Sequence, residues 1–208
     1  MTELFDIYDD AMRHIGTKPR AEVHRDGDWH RTFHCWVTYR DDDGRDWVVI
    51  QKRVPDKDIY PNHLDISSAG HYEAGETVAD GVREIKEELG LSVAFEHLIP
   101  VGQRVNVAQY DNILDRQVSD VFLYICDQPL SDYAYQKSEI AGLIALNVEL
   151  GLQLLTGEIN TLNVPAVGFE TSTVTIKRDD FIPTQDNYFA KALVLAKRCL
   201  AGEKYLFV

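Results

Sequence analysis

Residues 69–90 read AGHYEAGETVADGVREIKEELG. Within this stretch Glu84, Glu87 and Glu88 fall inside about one and a half helical turns. Spacings of three and four residues bring such side chains out on one side of a helix. Like charges so placed repel unless a cation sits among them. The economical cation is a hard divalent metal, which prefers oxygen ligands. The flanking residues support a helix. Gly75-Glu76 closes a loop, Thr77 is placed to N-cap, and Asp80 follows three residues on, as in a capping box. Val78, Val82, Ile85 and Leu89 form an apolar stripe, and Gly90 ends the helix. At about 100° per residue, Glu84 and Glu88 border that stripe and Glu87 points further out. A solvated acidic helix face is the plain alternative, and the ordered glycine loop ahead of the carboxylates weighs against it.

With these residues in place, the segment resembles the Nudix box, G-x5-E-x7-R-E-U-x-E-E-x-G-U, where U is a bulky apolar residue. Gly70 and Glu76 match its first half; Arg83, Glu84, Ile85, Glu87, Glu88, Gly90 and Leu91 match its second. One departure stands out. Six residues rather than seven separate Glu76 from Arg83. One residue fewer would turn Glu76 by about 100° relative to the carboxylates, which leaves its role open and the block from Arg83 to Glu88 intact.

The resemblance implies an α/β fold, the Nudix α/β/α sandwich with a mixed sheet, carrying N- and C-terminal additions. The whole of 1–208 would be a single domain, with the Nudix core at about 30–160 and additions at 1–29 and 161–208. It implies a Mg²⁺-dependent pyrophosphohydrolase, with Mn²⁺ as a substitute ion, acting on a nucleoside diphosphate derivative or another organic diphosphate. Glu84 and Glu88 would be the main metal ligands and Glu87 a further ligand or a base that orients water. The backbone carbonyl of Ala69 would complete the set. Arg83 counts among the catalytic candidates, although in the family its counterpart pairs with a carboxylate and steadies the box. A general base from a later loop is expected, and Glu139 falls in the right region; a helix N-terminal Glu favoured by the macrodipole is its bland reading. Lys52, Arg53 and Lys57 are candidates to grip a terminal phosphate.

The rest of the chain agrees with a small-molecule enzyme. A length of 208 residues suffices to bury a core, and 45% hydrophobic with 26% charged residues is ordinary for a globular protein. A formal charge of −13 argues against a nucleic-acid surface. It leaves room for a phosphorylated substrate, because a bound metal and local cations reverse the field inside a pocket. Cys35, Cys126 and Cys199 are widely spaced and suggest neither a disulfide framework nor a zinc cluster. No signal peptide or membrane-length apolar run is evident, so the chain reads as cytoplasmic with no membrane partner. Nudix proteins are often dimers, and the terminal additions would offer a homodimer interface.

Strand-like stretches are Thr32–Tyr39, Trp47–Gln51, Leu64–Ser68 and Val118–Cys126, with Arg40–Arg45 as a hairpin turn. Ser172–Ile176 is a further candidate strand. Ile140–Leu155 and Tyr188–Ala201 read as helices.

The flanks of the box are also similar to isopentenyl-diphosphate isomerase, a Nudix-fold enzyme. Lys52-Arg53, Lys57 and Tyr60-Pro61 resemble its diphosphate-holding segment, and Gly70-His71 resembles a Gly-His pair whose His binds metal. His30 matches another of its metal histidines. The proton-transfer positions differ. Ala69 stands where the isomerase needs Cys, and Gln117 where it needs Glu; an amide neither shuttles that proton nor supplies a charged ligand. His24, His30, His34 and His71 together suggest a metal cluster. However, His30 and His34 would lie about 13 Å apart along a strand, too far to share an ion. His34 reads as packing between Phe33 and Trp36. Trp29, Phe33, Trp36, Tyr60 and Tyr110 could stack on a base or line an apolar pocket, though aromatics at strand spacing are usually core. A third reading, a Nudix-fold ligand sensor without turnover, draws support from the missing residue before Arg83. The complete carboxylate block opposes it.

Overall fold

The computed structural model describes residues 3–57, 59–110 and 113–208. In chain order the elements are β1 (Leu4–Tyr8), β2 (His14–Pro19), α1 (Arg20–Asp26), β3 (Trp29–Arg40), β4 (Asp46–Arg53), β5 (Leu64–Asp65), β6 (Ser68–His71) and α2 (Arg83–Leu89). They continue with β7 (Ile99–Tyr110), β8 (Ile113–Ile125), β9 (Ile140–Asn147), α3 (Val148–Thr156), β10 (Leu162–Val167), β11 (Thr173–Ile176) and α4 (Tyr188–Leu200).

β3 organises the mixed sheet. One of its edges pairs in parallel with β8, from Trp29↔Arg116 to Thr38↔Ile125. The other edge is shared along its length: β4 at Thr38–Arg40, β6 at Thr32–Cys35 and β1 at Trp29. β3 and β4 therefore meet only beside their hairpin turn and then part. β6 enters against β3 and β5 pairs with β4. This opening delivers residues 69–71 to the centre of the molecule.

Each face of the sheet carries its own core. On one face Phe33, Cys35, Val37, Val49 and Leu143 pack on Ile85 and Leu89 of α2. On the other, Trp36, Ile50, Leu123 and Ile144 pack on Leu154 of α3 and on Tyr188, Leu193 and Ala196 of α4. Alternation along β3 divides its side chains between the two faces. The result is the α/β/α sandwich. The sheet also reaches beyond the expected core, with β1 and β2 on one side and β10 and β11 on the other. Among the described residues no helix is long and apolar enough to cross a membrane.

Two segments depart from expectation. The first half of Ile140–Leu155 is strand β9, hydrogen-bonded to β4 and β10, and a helix begins only at Val148. Ile140, Leu143, Ile144 and Leu146 are wholly buried. A continuous apolar run covered on both faces has no periodicity to separate strand from helix. Asn147 makes the switch: its side chain accepts the Leu150 N–H at 3.1 Å and caps α3. Leu64–Ser68 is broken into β5 and β6 where the Asp65 carboxylate accepts the Ile66 N–H at 2.8 Å.

Candidate active site

The box folds as a loop, a 3-10 turn at Asp80–Val82 and the two-turn helix α2. Asp80 accepts both the backbone N–H (2.8 Å) and the hydroxyl (2.7 Å) of Thr77, which is half of a capping box; Thr77 does not cap the helix as expected, because its hydroxyl donates rather than accepts and α2 begins only at Arg83. The missing residue is absorbed by that tighter turn. Glu76 still reaches Arg83, accepting from Nε at 2.7 Å and Nη2 at 2.9 Å. Arg83 also donates to Glu84 (2.6 Å), Glu87 (3.2 Å) and the His71 carbonyl (2.8 Å). A guanidinium has five N–H donors, so all are engaged within the protein. No N–H of Arg83 is left free for a further acceptor in this arrangement.

Glu84 and Glu88 are buried, at 9% and 6% exposure, whereas the Glu87 side chain is 54% exposed. The split follows their angles about the helix. Burial pushes the Glu84 carboxyl up to about 7 despite the nearby Arg83 charge, with Glu87 adding to the rise. Burial likewise pushes Glu88 up to about 8 against a hydrogen bond from the Ala69 N–H at 2.9 Å. Gln51 donates to the same Glu88 oxygen at 3.4 Å. Gly70 is required beneath them, because a Cβ there would overlap the Glu84 carboxylate. Two desolvated carboxylates against bare backbone, with Arg83 on Glu84 as the cation between them, form an all-oxygen donor set suited to a hard divalent ion.

A second group assembles on the other side of β6. One ring nitrogen from each of His24, His30 and His71 lies within 4.8 Å of the others. The three Nε2 atoms and Asp115 Oδ1 are buried without hydrogen-bond partners, and His30 Nε2 stands 3.4 Å from Asp115 Oδ1. His30 Nδ1 lies 3.1 Å from the Asp28 carbonyl, which only accepts; the proton is therefore on Nδ1 and the Nε2 lone pair faces inward. Phe5 of β1 stacks on His71 at 4.5 Å between ring centroids. Burial lowers the pKa of all three imidazoles, His30 to about 4, and raises that of Asp115. Neutral imidazoles facing an orphaned carboxylate suit a borderline divalent metal. His34 is elsewhere, bonded to the Tyr188 hydroxyl at 3.0 Å.

Ala69-Gly70-His71 thus serves both groups, Glu88 and Glu84 through its first two residues and the histidines through its third. It also floors a cleft of about 180 Å³ lined by Arg20, Arg53, Arg104, Tyr60, Tyr110 and Asp115. Of the phosphate-gripping candidates, Arg53 lines this cleft while bonded to Asp65 (2.9 Å) and to the Ile59 carbonyl. Lys52 points away, over the Phe169 ring, into a different cavity. Lys57 is paired with Glu139, and neither lines the cleft. Phe33 and Trp36 are core, whereas Tyr60 and Tyr110 meet edge to face at 4.9 Å in the cleft wall. Arg20, Arg104 and Gln51 were not singled out by sequence. Arg20 opens a helix in the N-terminal segment, and Arg104 sits on β7, where Val105 and Val107 alternating with polar residues are the strand signal. Only the alternation of Gln51 with Lys52 along β4 could have placed Gln51 under the box.

The comparisons agree with this geometry. The NUDIX domain matches residues 28–150. An uncharacterised Nudix hydrolase of Clostridium acetobutylicum is 36% identical over 195 residues, covering 90% of this chain and 93% of that one. An isopentenyl-diphosphate Delta-isomerase of Mycolicibacterium vanbaalenii is 29% identical over 141 residues, covering 67% of this chain and 74% of its own. A Deinococcus radiodurans crystal structure shares the fold, with a TM-score of 0.51 at 23% identity over 74% of this chain and 90% of that one. With the domain matched over more than half of its length and a relative matched almost end to end, the chain belongs to the Nudix family, whose hydrolases act on diphosphate bonds.

Proposed function

We propose that this protein is a divalent-metal-dependent pyrophosphohydrolase that cleaves a nucleoside diphosphate derivative or another small organic diphosphate. The observation that carries this is the burial of Glu84 and Glu88 against Gly70 and Ala69 with their pKa values raised, an arrangement that a hard cation relieves. Glu84 and Glu88 would hold Mg²⁺, or Mn²⁺ in its place, with the Ala69 carbonyl as a further donor. When bound there, the ion would neutralise phosphate oxygens, lower the pKa of an attacking water and stabilise the leaving oxygen. Glu87, the exposed member, would orient that water with the carboxylate oxygen that Arg83 does not hold. Arg83 keeps the carboxylates in register. Arg53, with Arg20 and Arg104 around the cleft, would meet the phosphates, and the Tyr60–Tyr110 pair would border the organic group. Glu139 is paired with Lys57 and does not line the cleft, whereas Glu87 stands on α2 beside Glu84 and Glu88, so Glu87 is the better assignment.

The histidine cluster supports a second metal position, of the kind that the isomerase resemblance implies. It does not extend the reading to isomerisation, because Ala69 and Gln117 bring no proton-transfer group. The test is ³¹P NMR of ADP-ribose, nucleotide sugars, dinucleotides, nucleoside triphosphates and isopentenyl diphosphate with Mg²⁺, beside Glu88→Gln. Hydrolysis by the parent and not by the variant is expected. Equal turnover by both would overturn the carboxylate assignment.

A further inference from the structure

Gln117 occupies an informative place beside the histidines. It lies on β8 directly across from His30 of β3, and Asp115 precedes it by two residues on the same face. Its amide nitrogen donates to Asp115 Oδ2, and its amide oxygen lies 3.4 Å from the Thr32 hydroxyl. Thr32 in turn bonds the Ser119 hydroxyl at 2.8 Å. The orientation of the amide is determined by chemistry: flipped, its oxygen would face a carboxylate that can only accept. One Asp115 oxygen is therefore held by the amide. The other, Oδ1, is buried without a partner and faces His30.

We propose that Gln117 is a positioning residue that aims Asp115 Oδ1 at His24, His30 and His71, setting a three-imidazole, one-carboxylate centre for a borderline divalent ion of the Zn²⁺ class. The proposal rests on reading the histidine cluster as a metal position. A Glu at 117 would add a second charge and a fifth donor. The amide instead adds a hydrogen-bond donor behind a single carboxylate, as outer-shell partners of metal ligands do. Three nitrogens and one oxygen match the ligand preference of Zn²⁺ or Co²⁺, whereas Mg²⁺ favours all-oxygen sites such as Glu84 and Glu88. The two metal positions are thus chemically distinct, though β6 serves both.

The test is titration of the full chain with Co²⁺ in excess Mg²⁺, read by the visible ligand-field spectrum and by competition with Zn²⁺. Gln117→Leu is expected to weaken Co²⁺ binding by about 10–100-fold and to change the spectrum. Asp115→Asn should do the same, and the double variant should be little worse than Asp115→Asn alone, since both act through one contact. Gln117→Met, which keeps the length of the side chain but has no hydrogen-bond donor and adds no charged ligand, must also change the spectrum and guards against a folding defect in the leucine variant. Parent-like affinity and spectra in both Gln117 variants would overturn the role of Gln117 while leaving the metal centre standing. Failure of the parent to bind Co²⁺, or binding untouched by His71→Ala, would overturn the metal reading and this proposal with it.

Discussion

Replacing Arg83 by Met should destabilise the metal-free protein by about 3–4 kcal/mol. All five guanidinium N–H groups are used, but they do not count equally. The bond to buried Glu84 is charge-assisted and contributes roughly 1.5–3 kcal/mol, and that to the His71 carbonyl about 1 kcal/mol. The pairs with Glu76 and Glu87 face solvent in part and add at most about 0.5 kcal/mol each. Without Arg83, nothing within the protein offsets the Glu84 charge at this point. The deficit should therefore depend on pH. The folded-state pKa of Glu84 is already raised by burial to about 7, so the fold favours its neutral form. Losing Arg83 deepens the penalty for ionising it, most at pH 8 and less at pH 5.5. Urea denaturation in EDTA at both pH values measures this, and Mg²⁺ should restore much of the loss at pH 8. Arg83→Lys should recover only part, because a point charge does not reproduce a five-donor fork. A loss below about 1 kcal/mol at pH 8, or the same loss at both pH values, would refute the clamp as the element that holds the box together.

Other consequences are equally open to measurement. Glu84 and Glu88 have folded pKa values raised to about 7 and about 8 from 4.5, so their contribution is fully present below about 4.5 and lost as pH rises through 7 and 8. The metal-free protein should accordingly lose stability across that window, and Mn²⁺ or Mg²⁺ should return it at the alkaline end; a flat thermal midpoint would contradict the burial argument. Glu88→Gln should unfold later than the parent in EDTA at pH 9, because it removes a buried charge, while losing hydrolysis. Gly70→Ala should cost about 1–3 kcal/mol through overlap with Glu84 and abolish metal-dependent activity; a parent-like denaturation midpoint would show that the close approach is not required. Asn147→Ala should cost about 1 kcal/mol by uncapping α3, as read by urea titration.

Local patterns carried the box. Ile85 and Leu89 determined which side of the helix is buried, with Val82 and Val78 half-buried ahead of it in the turn and loop, and angular spacing then put Glu84 and Glu88 beside the core and Glu87 outside. The hairpin turn at Arg40–Arg45, the strands on either side of it and α4 were legible for the same reason: period and turn chemistry lie within a few neighbouring residues. Ile140–Asn147 was not legible, since burial on both faces erases the period that distinguishes strand from helix. The separation of Lys52 from Arg53 depended on strand alternation together with a register shift at that point of β4, neither of which composition records. The histidines were named from sequence as a candidate cluster, but which of them meet, and that Asp115 rather than His34 joins them, was not legible there. His24, His30, His71 and Asp115 come from α1, β3, β6 and β8, and they converge only because β3 and β4 part to admit β6 while β8 runs parallel to β3. Sequence alone determined the helix and its carboxylates, whose geometry is set within two turns. Only the tertiary structure decided what faces them across β6, because that arrangement depends on pairing between strands far apart in the chain.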